Sequence, residues 1–109
     1  MTTSVTQADG ATVLTVAGEV DLATAPALEN AIDAALAGKP AALVIDLTAV
    51  SFLASAGMAV LVGVHKRAGE THLMVVADGP ATSRQLKMTS LDQVFSLHTT
   101  LAEALSALR

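Results

Sequence analysis

The sequence has no cysteine, tryptophan or tyrosine, and only two of its 109 residues are phenylalanine. Without cysteine there can be no disulfide, no thiolate metal site and no cysteine nucleophile. Charged residues are also sparse, at 15%, the net charge is −4, and the only basic pair is Lys66-Arg67. Because nucleic acids and anionic membranes are bound through clustered lysine and arginine, we expect neither as a direct partner.

Long hydrophobic segments are absent as well. The longest near-continuous apolar run, residues 52–64, is interrupted by serine and two glycines. It falls short of the ~20 residues that cross a bilayer. The amino terminus lacks the basic start and apolar stretch of a signal peptide, so we expect a cytoplasmic protein without membrane insertion. Hydrophobic residues still make up 52% of the chain, enough for the core of one domain over residues 1–109.

The hydrophobic pattern alternates between strands and helices. Residues 2–8 and 11–17 flank Asp9-Gly10, a dipeptide that favours type I′ turns, and they predict a hairpin. From Leu22, apolar residues recur at three- and four-residue steps, as in an amphipathic helix. Asp21 or Thr24 could cap that helix, which ends at Gly38. Further strands are predicted at 41–46, 72–77 and 94–97, and further helices at 55–68, 80–89 and from Thr100, where Thr-Leu-Ala-Glu is a capping-box pattern.

This order implies an α/β domain with a mixed sheet of four to five strands and about four helices, the opening hairpin being antiparallel. We expect Asp46 near the carboxyl end of its strand, followed by an exposed connection over residues 47–53. Ser55 is expected at the N-cap of the next helix. Gly57 in the first turn disfavours a helix, which indicates that something closely approaches the backbone there.

Two segments of the chain resemble a known family. Residues 46–58, Asp-Leu-Thr-Ala-Val-Ser-Phe-Leu-Ala-Ser-Ala-Gly-Met, resemble the signature of STAS domains, particularly of bacterial anti-sigma factor antagonists. Residues 18–21, Gly-Glu-Val-Asp, are similar to the family's Gly-Glu-Leu-Asp segment. The resemblance spans essentially the whole chain. It implies a non-enzymatic regulator without a cofactor, which binds an anti-sigma factor and so releases a sigma factor. The implied partner is a serine kinase with a histidine-kinase-type ATPase fold.

The resemblance also implies roles for single residues. Ser55 takes the position of the serine that the partner kinase phosphorylates, and the implied partner-binding residues are Asp21, Ser55, Ala56, Gly57 and Met58. Two positions depart from the family pattern, because Ala54 replaces an aspartate and Ala56 replaces a serine or threonine. A phosphate at a helix N-terminus is tolerated by the domain itself. A partner packed against Ser55 would instead face a bulky dianion beside Asp21.

Other interpretations of these residues stay open. Ser55 and Asp21 are also common helix caps, and Asp46 fits a strand end better than a reactive group. A catalytic serine is not indicated, because the first glycine of a nucleophile elbow is missing. The three histidines lack metal-ligand spacing, so we expect no metal site. Two other functions remain: a STAS-like subunit of a transporter assembly that docks on an ATPase, and a receiver domain phosphorylated on Asp46.

Overall fold

The computed structural model describes residues 1–108, and Arg109, the last residue of the predicted domain, lies outside them. The described chain forms five strands and four α-helices, which confirms the predicted fold class. In chain order these are β1 (Thr2–Ala8), β2 (Ala11–Val20), α1 (Ala25–Ala37), β3 (Ala42–Leu53), α2 (Ser55–Arg67), β4 (His72–Val76), α3 (Ser83–Met88), β5 (Ser96–His98) and α4 (Leu101–Ser106). Within residues 1–108, no helix is sufficiently long and apolar to span a membrane.

The five strands form one sheet in the order β1-β2-β3-β4-β5. The β1–β2 pair is antiparallel and the other three pairs are parallel, so helices connect β2 to β3, β3 to β4 and β4 to β5. The predicted hairpin is confirmed: Asp9 and Gly10 both have positive φ, at 51° and 82°, as a type I′ turn requires. This topology collects the carboxyl ends of the parallel strands at one edge of the sheet.

Apolar side chains fill both faces of the sheet. On one face, β2, β3 and β4 pack against α1, α2 and the segment from α3 to β5, with Leu14, Leu28, Ile45 and Leu61 fully buried. On the other face the cover comes from α4, whose Ala104 is buried together with Val13, Val44, Met74 and Val76. Because the first part of β3 and most of β4 are covered on both faces, residues 42–45 and 73–76 are continuous apolar runs without alternation.

The third strand is longer than the sequence predicted. The prediction of an exposed connection over residues 47–53 was wrong, since β3 continues to Leu53 and pairs with β2 through two register irregularities. Each irregularity adds a residue to β3, so its buried positions, Leu47, Val50 and Leu53, recur every three residues. This spacing matches no regular strand period, and the segment therefore did not look like a strand.

Asp46 consequently lies inside β3 and not near its carboxyl end, although β4 stops pairing there. Its side chain is buried, and Oδ1 accepts hydrogen bonds from the Thr48 amide at 3.0 Å and the Thr48 hydroxyl at 2.8 Å. Other boundaries shifted by one to three residues. One three-residue shift is at α1, which begins at Ala25 and leaves Leu22 outside the helix with 81% of its surface exposed.

Candidate partner-binding site

Asp21 and Ser55 follow the ends of two paired strands. Val20 pairs with Leu53 at the carboxyl ends of β2 and β3, and the Ala54 amide donates to the Val20 carbonyl oxygen at 2.8 Å. Asp21 directly follows Val20, and Ser55 directly follows Ala54. The fold thus brings together the backbones of two residues that are 34 positions apart in sequence.

Ser55 is the first residue of α2 and not its cap. The N-cap is Ala54, with φ −83° and ψ 168°, and it offers no side-chain acceptor to the helix. The Ser55 side chain is exposed and makes no hydrogen bond with any residue in the described part of the chain. The prediction that Ser55 caps the helix was therefore wrong, and its hydroxyl is accessible at a helix end that has no acidic residue in its first turn.

The Asp21 carboxylate caps the turn that leads into α1, whose N-cap is Thr24. Its Oδ1 accepts hydrogen bonds from the Ala23 and Thr24 amides, both at 3.0 Å, and Thr24 Oγ1 in return accepts from the Asp21 amide at 2.9 Å. The Asp21 carbonyl oxygen also accepts from the amide of Ala25, the first residue of α1, at 2.8 Å, which ties the turn to the helix. The backbone hydrogen bond from Thr24 is the main cause that lowers the pKa of Asp21 below 3.8. The carboxylate is therefore charged at neutral pH.

Gly57 allows α2 to pack closely against the ends of β2 and β3. A Cβ atom at Gly57 would lie 2.6 Å from Val20 Cγ1 and 2.8 Å from Leu53 Cδ1. Such distances are too short for van der Waals contact. The close approach expected from the sequence is thus present, but the approaching groups are the protein's own side chains. Gly57 is buried, so its contribution to this site is to hold the first turn of α2 in place.

Exposed apolar side chains surround this sheet edge. Met58, in the first turn of α2, is half-buried, and its Sδ lies 3.7 Å from Thr89 Oγ1 at the end of α3. Met88, next to Thr89, is 70% exposed, Phe52 near the end of β3 is 51% exposed, and Leu22 follows Asp21. Sequence reasoning missed this apolar surround, because Leu22 was assigned to the buried stripe of α1 and Phe52 to a connection. Exposed apolar residues gathered at one place are typical of a protein-binding surface.

The chemistry available at this edge is that of a recognition surface. Ser55 has no hydrogen-bonded base in residues 1–108 that could activate its hydroxyl as a nucleophile. The described residues also contain no group of three histidine, cysteine or acidic side chains that could hold a metal ion. What the edge presents is an accessible hydroxyl, the amide groups of a helix N-terminus, the carboxylate of Asp21 and exposed apolar side chains.

Comparison with known proteins identifies the family. The family model described as "STAS domain" matches residues 2–104. The chain belongs to the STAS domain family. The resemblance expected from the two sequence motifs is thereby confirmed.

Two relatives and one solved structure are similar to this STAS domain over most of their length. The anti-sigma-F factor antagonist RsfB of Mycobacterium tuberculosis is 43% identical over 110 residues, which cover 100% of this chain and 90% of RsfB. The anti-sigma-B factor antagonist of Listeria monocytogenes is 32% identical over 84 residues, covering 75% of this chain and 74% of that protein. The crystal structure of an anti-sigma factor antagonist from Mycobacterium paratuberculosis is 51% identical, with a TM-score of 0.94, and the match covers 97% of this chain and 92% of that one.

Proposed function

We propose that this STAS domain is an anti-sigma factor antagonist, a regulator without enzymatic activity that binds an anti-sigma factor and so releases a sigma factor. Two relatives of this chain are named as anti-sigma factor antagonists. The observation that carries the proposal is the exposed hydroxyl of Ser55, which no helix-capping bond occupies, at an edge with exposed apolar side chains. Leu22, Phe52 and Met88 would then supply apolar contacts to the partner, with Asp21, Ala56 and Met58 beside them.

We further propose that the partner is a serine kinase with a histidine-kinase-type ATPase fold, and that it phosphorylates Ser55. A phosphate adds about −1.5 to −2 charges and three acceptor oxygens. The N-terminus of α2 can accommodate this charge, because neither a side-chain cap nor an acidic residue competes for its first amide groups. A partner surface resting on Leu22 and Phe52 would have to desolvate the phosphate next to the Asp21 carboxylate. Phosphorylation would therefore release the partner without unfolding the domain.

The departures from the family pattern fit this mechanism. With Ala54 in place of an aspartate, the position next to Ser55 carries no charge, and the Ala54 side chain offers no acceptor to the helix amides. A phosphate on Ser55 would thus have no neighbouring carboxylate within α2 to repel it, since the first turn contains none. The charge change on phosphorylation would act on the partner surface, with Asp21 as the acidic neighbour.

Two variants at Ser55 test the proposal. The partner is first recovered from lysate of the source organism on the immobilised protein, then purified for calorimetric titration. Ser55→Ala should bind this partner as the wild type does and should not be phosphorylated when ATP is added. Ser55→Glu should bind at least tenfold more weakly, which corresponds to about 1.4 kcal/mol. Ser106→Glu, an exposed position on α4, is the matched control for the added charge.

The outcome distinguishes the functions that the sequence left open. Equal affinity for the wild type and Ser55→Glu would contradict a charge switch at Ser55. Recovery of a membrane-complex ATPase in place of a soluble kinase would favour a subunit of a transporter assembly. Acid-labile phosphate that persists in Ser55→Ala would indicate phosphorylation of an aspartate, as in a receiver domain.

A further inference from the structure

The first strand forms an open edge of the sheet. β1 pairs with β2 on one side, and within residues 1–108 no strand pairs with its other side. Six of its seven residues are exposed. Along a strand of this length, about 23 Å, alternate backbone amide and carbonyl groups point away from β2 and are available to another strand. The opposite edge of the sheet is different, because β5 has only three residues.

The β1 edge has none of the features that usually protect an open edge. Natural proteins block such edges with lysine, proline, bulges or very short strands. Residues 2–8, Thr-Thr-Ser-Val-Thr-Gln-Ala, contain neither a charge nor a proline. Their register with β2 is continuous from Thr2 to Ala8, so no bulge twists the strand away. Val5, at the centre of the strand, is 54% exposed.

The uncharged surface continues from β1 onto α1. A shallow cleft of about 400 Å³ separates the two elements, and its lining includes Val5, Ala34 and Gly38. The acidic residues of α1 face the other way: Glu29 and Asp33 both bind Arg67 of α2, with oxygen-to-nitrogen distances of 2.9 Å. A strand that approaches β1 therefore meets no side-chain charge from this part of α1.

We propose that β1 pairs with β1 of a second copy of this chain, antiparallel across a two-fold axis with Val5 opposite Val5. Such a contact is isologous, since each strand supplies the same row of donors and acceptors. A second copy fits because the edge carries no charge that could recognise a charged strand or repel its own copy. The molecule has a net charge of −4, so two copies repel each other overall, and an uncharged edge adds nothing to that repulsion. β-Branched threonine and valine on both strands also favour the pairing.

The size of this contact predicts its strength. Two strand edges about 23 Å long and roughly 10 Å thick bury on the order of 500 Å² in total, less than the ~1,000 Å² of a stable interface. We therefore expect a weak dimer that forms at high protein concentration. In the two-fold pair, the carboxyl ends of the parallel strands, where Ser55 lies, are at opposite ends of the joined sheet. Dimer formation is thus independent of the proposed partner-binding site and leaves both copies of it accessible.

Sedimentation equilibrium of the wild type and two lysine variants tests this proposal. Concentrations should run from about 10 µM to about 1 mM, the range over which weak interfaces associate. The average mass of the wild type should rise toward that of a dimer. Val5→Lys should stay monomeric or dimerise at least tenfold more weakly. Leu22→Lys adds the same charge at an exposed leucine beyond the carboxyl end of β2 and should dimerise as the wild type does.

Hydrogen exchange supplies a second measurement. Amides within residues 2–8 should exchange more slowly at high than at low wild-type concentration, with no such difference in Val5→Lys. If Val5→Lys fails to fold, Thr3→Lys, at an exposed position of the same strand, replaces it. A wild type that stays monomeric, a lysine variant in β1 that dimerises equally well, or a dimer lost in Leu22→Lys would each overturn the proposal.

Discussion

Asp21 has a structural role at the start of α1 besides the proposed role of its charge in partner binding, and the two can be separated by substitution. Asparagine keeps a side-chain oxygen for the Ala23 and Thr24 amides, and it forms such side-chain-to-backbone turns as aspartate does. Alanine removes the acceptor. Asp21→Asn should therefore melt close to the wild type at neutral pH, and Asp21→Ala should melt at a lower temperature. Circular dichroism measures both, and an equal loss in the two variants would contradict the capping role.

The pH dependence of stability gives an independent check on Asp21. Hydrogen bonds from Thr24 hold the pKa of Asp21 below 3.8 in the folded protein. A carboxylate whose pKa is lower in the folded than in the unfolded state stabilises the folded protein at pH values above the unfolded-state pKa. This stabilisation is lost as the pH falls through the folded-state pKa. The wild type should thus lose stability relative to Asp21→Asn as the pH falls from about 5 through the lowered pKa of the folded state. Urea unfolding at several pH values measures the difference, which would stay constant if the carboxylate contributed nothing.

Gly57 and Gly63 lie in the same helix but should respond oppositely to alanine. A Cβ at Gly57 would overlap Val20 and Leu53, whereas at Gly63 it would meet only the half-exposed guanidinium of Arg67, at 3.3 Å. Gly57→Ala should lower the free energy of unfolding by about 1–3 kcal/mol, as overpacking does. Gly63→Ala should raise it by about 0.5–1 kcal/mol through helix propensity. Urea unfolding compares them, and stabilisation by both substitutions would show that α2 can move away from the sheet.

At the scale of elements, α4 is six residues long and covers one face of the sheet. Because so short a helix has few internal hydrogen bonds, we expect its N-cap to affect its stability strongly. Thr100 Oγ1 accepts a hydrogen bond from the Glu103 amide at 3.1 Å. Thr100→Ala should lower the free energy of unfolding by about 0.5–2 kcal/mol, and Thr100→Asp, which retains an acceptor, should not. Hydrogen exchange within residues 101–106 should accelerate only in the alanine variant. Unchanged exchange there would mean that packing on the sheet alone holds α4.

Elements with a regular period were predictable from the sequence, and irregular ones were not. The hairpin and α2 follow standard turn and helix patterns, so their positions were predicted to within a residue or two at most ends. The second half of β3 escaped prediction because its bulges replace the two-residue alternation by a spacing of three. Of the candidate site, the motif located Ser55 and Asp21. The exposure of Leu22 and the burial of Gly57 depend on tertiary packing, which a local pattern does not contain.

At the scale of the whole molecule, exposed apolar surface is distributed unevenly. Within the described chain, five large hydrophobic residues are exposed, and three of them, Leu22, Phe52 and Met88, lie around the edge that carries Ser55. The others are Val5, in β1, and Val94, in the segment that leads into β5. If this edge is the partner-binding surface, apolar contacts there should contribute most of the affinity, because central apolar anchors dominate typical interfaces.

The corresponding prediction compares serine substitutions at this edge and away from it. Leu22→Ser with Met88→Ser should weaken binding of the recovered partner at least tenfold, because two exposed anchors lose their apolar contact with it. The melting temperature should stay close to that of the wild type, since neither side chain is packed in the core. Val94→Ser makes a similar change elsewhere and should bind as the wild type does. Equal binding by all three proteins would place the partner on another surface, because loss of an accessible anchor has no effect outside the interface.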